Sequence, residues 1–163
     1  MAADFRLVAP TVVAALVVAF AWPCAALAEV QWTLRQDKGR AFLQGMHNES
    51  EVDFEFWAHC RTDGDIDVGM AAESHVGKGK GEKVELTLTS AGQTAKVSGV
   101  SRNSVNSEMT GGIELHGKVK RDDKLFAVLA TGQPIAVTGP IKPLKWGVKG
   151  LKSKLDAFLK SCK

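Results

Sequence analysis

Val52-Asp53-Phe54-Glu55-Phe56-Trp57-Ala58-His59-Cys60 is the stretch whose reading decides the fold class. Val52, Phe54, Phe56, Ala58 and Cys60 share one side of an extended chain. Asp53, Glu55, Trp57 and His59 share the other. Such strict alternation is the period of a β-strand, in which successive side chains point to opposite faces. A strand with one apolar and one polar face belongs to an antiparallel sheet, packed on a core on one side only. Arg61-Thr62-Asp63-Gly64 follows, and Asp-Gly suits the backbone conformations of a tight turn. Ile66, Val68 and Met70 then alternate again, so the two segments are expected to form a hairpin.

Similar segments lie on both sides. Upstream, Val30 to Arg35 and Ala41 to Met46 read as strands joined by a turn at Asp37-Lys38-Gly39. Downstream come a glycine-rich loop, Gly77 to Glu82, and alternation at Val84, Leu86 and Leu88. Strands are also expected at Thr94 to Val100 and through Ile113, Leu115, Gly117 and Val119, separated by a polar stretch from Ser101 to Gly112. The apolar run Leu125 to Ala130 reads as a buried central strand, and Pro134 to Val137 as a short one. Eight or so strands at short, regular spacing, with turn signals between them, predict a mainly β fold: an antiparallel sandwich or barrel.

The end of the chain changes period. Leu144, Val148, Leu151, Leu155, Phe158 and Cys162 step by four and three, which is one stripe of an α-helix. Gly147 and Gly150 each weaken its first turns by roughly 1 kcal/mol relative to Ala. The helix is therefore expected at about 148–162, most securely from Leu151 to Ser161.

The beginning is of another kind again. Arg6 is followed by an apolar run from Val12 to Trp22, stopped by Pro23, and Ala26-Leu27-Ala28 offers a small-x-small site. These are the parts of a cleavable secretory signal. Pro10 and Pro23 bracket the run too closely for a membrane span, which needs about 20 apolar residues. Residues 1–28 are thus expected to be a leader cut near Ala28-Glu29. The mature chain, 29–163, would be a single soluble β-rich domain, periplasmic or secreted. The bulky Trp22-Pro23 before Cys24 does not suit lipoprotein processing, so Cys24 leaves with the leader.

Loss of Arg6 and Asp4 keeps the formal charge at +3, too mild a balance to point to nucleic acid. Two cysteines remain, Cys60 and Cys162. In an exported chain an isolated pair is most simply one disulfide; free thiols, an intermolecular bridge and a metal pair are the alternatives. Both positions fall on expected buried faces, so a bridge would staple the terminal helix over the sheet. No Cys-x-x-Cys is present for redox exchange.

Little in the sequence points to catalysis, and no cofactor is implied. Gly77-Lys78-Gly79-Lys80-Gly81-Glu82 is too short for a phosphate loop, lacks its Ser/Thr, and leads into a strand rather than a helix. His47, His59, His75 and His116 lack zinc-site spacing. Asp63, Asp65 and Asp67 fail the calcium-loop pattern at its sixth and twelfth places, which are Val68 and Ser74. A hydrolase or metal site would have to be assembled from distant His, Asp and Ser residues. A non-enzymatic binding or accessory module is the leading expectation, with an unknown protein or small molecule as ligand. Its surface would be the polar face of the first strand, Glu55, Trp57 and His59, with Arg102, Asn103 and Asn106 of the polar loop. An outward Trp often marks a binding surface. The alternative is an envelope protein touching anionic membrane through Lys149, Lys152 and Lys160 on the amphipathic helix.

The segment Phe54 to Cys60, the Asp63-Gly64 turn and the closing Phe158-Leu159-Lys160-Ser161-Cys162 resemble a pattern in small exported proteins of Gram-negative bacteria, themselves mostly uncharacterised. The resemblance covers the hairpin and the last dozen residues. It implies a periplasmic home and a disulfide, and it carries over no catalytic or ligand residue.

Overall fold

Turns that carry a glycine at positive φ, at Gly39, Gly64 and Gly92, and two-residue alternation build most of the molecule. The computed structural model describes residues 29–37, 39–47, 54–104, 108 and 111–162; the expected leader, Lys38 of the first turn, Val52 and Asp53 of the deciding stretch, and Asn106 lie outside them. Nine strands follow in chain order: β1 (Val30–Asp37), β2 (Arg40–His47), β3 (Phe54–Cys60), β4 (Asp65–Met70), β5 (Lys80–Ser90), β6 (Gln93–Asn103), β7 (Ile113–Lys120), β8 (Ile135–Thr138) and β9 (Leu144–Trp146). Among the described residues two α-helices accompany them, α1 (Lys124–Leu129) and α2 (Leu151–Ser161). All strands pair antiparallel in one sheet of order β1-β2-β3-β4-β7-β6-β5-β8-β9. The sheet curls into a nearly closed barrel rather than splitting into a sandwich. Its edges meet through Trp32, whose Nε1 donates to the Gly147 carbonyl just past β9 at 2.8 Å.

The inward face of each strand supplies the core. Leu43, Phe56, Ala58, Ile66, Val68, Met70, Leu86, Leu88, Leu115, Ile135 and Val137 are fully buried. Trp32, Phe56 and Trp146 pack edge-on or tilted at centroid distances of 5.7–6.5 Å, a favourable arrangement of ring quadrupoles. Leu151, Leu155 and Phe158 of α2 are buried against β1 and β2, and Phe158 meets Phe126 of α1. Cys60 at the end of β3 and Cys162 just after α2 are both buried, at disulfide distance, with Cα atoms 5.3 Å apart. The helix stripe is therefore consumed by the core. None of the described helices is long and apolar enough to cross a membrane.

Three segments differ from the sequence reading. Leu125 to Ala130 is not a strand but the helix α1. The Asp123 carboxylate accepts from the Leu125 amide at 2.8 Å, satisfying a donor that a helix start leaves open. Leu125, Phe126, Val128 and Leu129 then bury one side. A short apolar run has no period of its own to separate the two possibilities. Secondly, Leu144 belongs to β9 and not to the terminal helix. It pairs with Val137, while Trp146 pairs with Ile135. Gly150, at φ 74°, starts α2, so the spacing from Leu144 through Val148 to Leu151 is coincidental.

The third difference lies in the deciding stretch itself. Phe56 pairs with Gly45 but Phe54 pairs with Met46, so Glu55 is the extra residue of a β-bulge. The bulge swaps the two faces at its end. Glu55 turns inward, 3 % exposed, and its Oε2 accepts from the buried Trp146 Nε1 at 3.0 Å. Phe54 turns outward. Glu55 is thus part of the interior and not of the polar surface expected of it.

Candidate functional site

The outer face of the sheet is organised by two lateral rows. One runs Val100 (β6), His116 (β7), Gly69 (β4), Trp57 (β3) and Gln44 (β2), each paired with the next. The other runs Lys118 (β7), Asp67 (β4), His59 (β3) and Phe42 (β2). Side chains in a row stand about 4.5–5.5 Å apart and interact directly. Gly69 breaks the first row. With no side chain there, the Trp57 indole lies across β4; a Cβ at Gly69 would overlap the Trp57 ring at Nε1.

The notch lets Trp57 reach β7. Its Nε1 donates to Glu114 Oε2 at 3.1 Å. Glu114 is 0 % exposed although it belongs to the outer face. Its other oxygen lies 2.8 Å from His116 Nε2, and beyond that pairing neither atom has a hydrogen-bond partner among the described residues. A carboxylate out of water is costly unless paired and hydrogen-bonded, so Glu114 ties Trp57 and His116 to one geometry. The Trp57 and His116 rings meet edge-on at 5.3 Å. Trp57 and His59 are near parallel at 5.8 Å, as are His59 and Phe42 at 5.4 Å. A band of rings therefore crosses the outer face from β2 to β7.

Two hollows open beside that band. The larger, about 610 Å³, is an open groove over β3, β4, β7 and β6, lined by Trp57, His59 and His116 and by the charged Arg61, Asp67, Arg102 and Lys118. The paired Gly99 and Gly117 also line it. The smaller, about 240 Å³, is lined by Phe42, Gln44, Phe54, Trp57 and His59. Trp57 and His59 are common to both.

Charges on the groove are unequally occupied. Arg61 donates to Asp63 and, at 3.1 Å, to Asp67. Asp67 also lies 3.4 Å from His59 Nε2. Burial holds the His59 imidazole below its ordinary pKa, outweighing the pull of Asp67, with Arg40 and Arg61 adding to the depression. Lys118 lies 3.7 Å from Asp65, which also pairs with Lys120. Arg102 is exposed, with no carboxylate in ion-pair range among the described residues.

Of the residues expected to form a binding surface, Trp57, His59 and Arg102 line the groove. Asn103 ends β6, exposed, near Gly79, and Glu55 is in the interior. His116, Lys118, Arg61 and Phe42 join the site from outside the expectation. His116 faces away from Leu115, as alternation along β7 requires, but nothing in that pattern links it to Trp57. The available signal was Gly69, since a glycine inside a strand marks a close approach. Nothing in the sequence distinguished Glu114 from an ordinary solvent-facing residue.

The other chemical candidates are placed as follows. The Gly77–Glu82 loop does form a cradle of backbone amides, with Gly77, Gly79 and Gly81 all at positive φ, but the Glu82 carboxylate fills it. Glu82 accepts from Lys78 and from Lys80, the latter at 3.0 Å, and these bonds hold its carboxyl below the usual range. Ser98, in the groove, donates to Glu85 at 3.0 Å. No group of three or more metal-ligating side chains occurs among the described residues. Lys149, Lys152 and Lys160 are exposed beside a buried stripe. Compared with family models, curated proteins and solved structures, the chain gives no match.

Proposed function

We propose that the chain is an exported, non-enzymatic binding module that takes its ligand in the outer-face groove beside Trp57. The observation that carries this reading is the Trp57–Gly69–Glu114 arrangement. A partly exposed indole is seated in a notch, fixed through its N–H by a fully buried carboxylate, and placed at the junction of two hollows. Burying a carboxyl group costs stability unless it is hydrogen-bonded, and what this one secures is the position of a large aromatic at the surface. Rigid aromatics in partly enclosed positions are the usual anchors of binding sites. Export rests on the leader pattern of residues 1–28, and the cysteine pair at disulfide distance suits an oxidising compartment. In that compartment Cys60–Cys162 is oxidised and holds α2 in place.

The membrane-surface alternative retains its exposed lysines but not its apolar stripe, which is buried in the core. It would then rest on charge alone, a weak and salt-sensitive attraction.

Native mass spectrometry tests the reading on protein expressed with its leader in a Gram-negative host and recovered from the periplasm. The expected species begins at Glu29 and carries a non-covalent adduct that Trp57→Ala loses. A mass retaining the leader would overturn export. An adduct undiminished in Trp57→Ala would place binding elsewhere.

A further inference from the structure

The ridge formed by Trp57 and His59 separates two hollows of opposite character. On one side Phe42 and Phe54 offer aromatic surface, with Gln44 the other lining residue. On the other side Arg102 and Lys118 line the groove, and their charges are the least occupied there. Arg61 is committed to Asp63 and Asp67, whereas Lys118 has only a loose 3.7 Å contact with an aspartate that Lys120 also holds. Arg102 has no carboxylate in ion-pair range among the described residues, although Glu114 faces it across the ladder and places it beside the buried end of the Trp57 anchor.

Accepting the groove as the binding site, we infer that its ligand class is a small amphipathic anion: a carboxylate or phosphate head joined to one aryl or short alkyl group. The head faces Arg102 and Lys118, whose charges reward an anion in a partly desolvated groove. The apolar group crosses the Trp57–His59 ridge and fills the Phe42–Phe54 hollow. At about 240 Å³ that hollow is below the roughly 300–1,000 Å³ of sites that engulf a drug-sized ligand. It accommodates a single ring or a branched alkyl group rather than a lipid acyl chain. Both halves of the ligand are required, because each hollow is open to solvent and would hold a fragment weakly.

The test compares three probes by calorimetry and by tryptophan emission on the mature chain: 3-phenylpropionate, its uncharged isostere 3-phenylpropanol, and acetate. The expected result is that 3-phenylpropionate binds at least about tenfold more tightly than either half, a difference of about 1.4 kcal/mol, and shifts tryptophan emission. Arg102→Gln, at an exposed position, should erase the advantage of acid over alcohol. Phe42→Ala should weaken acid and alcohol alike. Equal binding of acid and alcohol, or an acid advantage that survives Arg102→Gln, would overturn the ligand class while leaving the groove as the binding site. No saturable response to any of the three would also overturn it, and the adduct carried by the native protein then decides the parent reading separately.

Discussion

Trp57 shows how one missing side chain can seat another. The indole crosses β4 because position 69 carries no Cβ, and Glu114 then holds it by the N–H. Gly69→Ala would force the ring out of its notch, and such overpacking costs about 1–3 kcal/mol. The expected outcome is a lower urea midpoint together with red-shifted emission from a released indole; a variant as stable as wild type would show that the indole does not depend on the notch. His59 makes a second prediction. Burial holds its pKa below the ordinary 6.5, so as pH falls through that value the unfolded chain takes up the proton first. The stability that its neutral form contributes is complete above about pH 6.5 and is lost as pH falls towards the folded value. The melting temperature should therefore drop between pH 7.5 and 5.5 by more in wild type than in His59→Asn. At this scale the sequence was half legible. Alternation set Trp57 and His59 on the outer face. It set Glu55 there too, which a one-residue bulge turns into the core, and it could not show that the neighbouring indole covers Glu114.

Among the elements, those with a clear period were legible and those without one were not. β3, β4 and the secure part of α2 follow directly from two- and 3.6-residue patterning, because each has one buried face. Leu125 to Ala130 has no polar positions to mark a face, and its identity is decided outside the run by Asp123. That residue caps α1 with an oxygen that takes the Leu125 amide, so Asp123→Ala should cost about 1 kcal/mol in chemical denaturation. A variant of unchanged stability would mean that burial of Leu125, Phe126 and Leu129 alone fixes the helix. β9 was hidden for a related reason: three residues are too few to show alternation, and its Leu144 happened to extend the stripe of α2. The Gly77–Glu82 loop lacks the spacing of a phosphate loop. Its geometry adds a physical reason, which is that its amides already hold a carboxylate of their own.

For the whole molecule, the cysteine pair connects the ends of the fold. Cys60 and Cys162 are 102 positions apart, and closing a loop of that size is worth about 4–5 kcal/mol on the chain-entropy model. Cys162→Ser should lower unfolding stability by that order, measured by urea titration at equilibrium. A loss under about 1 kcal/mol would mean that the buried stripe of α2 suffices to dock it. With α2 docked, aromatic and charged groups converge on the curled sheet's outer face rather than on the lysine-rich tail. The curl itself was not legible, since sandwich and barrel share the same strand patterning and differ only in which edges meet. Here they meet through Trp32 and Gly147. Whether the Trp57 groove is the binding surface is tested most directly by protein-observed NMR of the isotope-labelled mature chain against a broad library of small fragments. Binding in the groove should move the Trp57 indole N–H resonance and the amides around His59, Val100, Arg102 and His116. Hits that cluster on α2, or that scatter over the surface and leave the Trp57 resonance still, would rule the groove out as that surface.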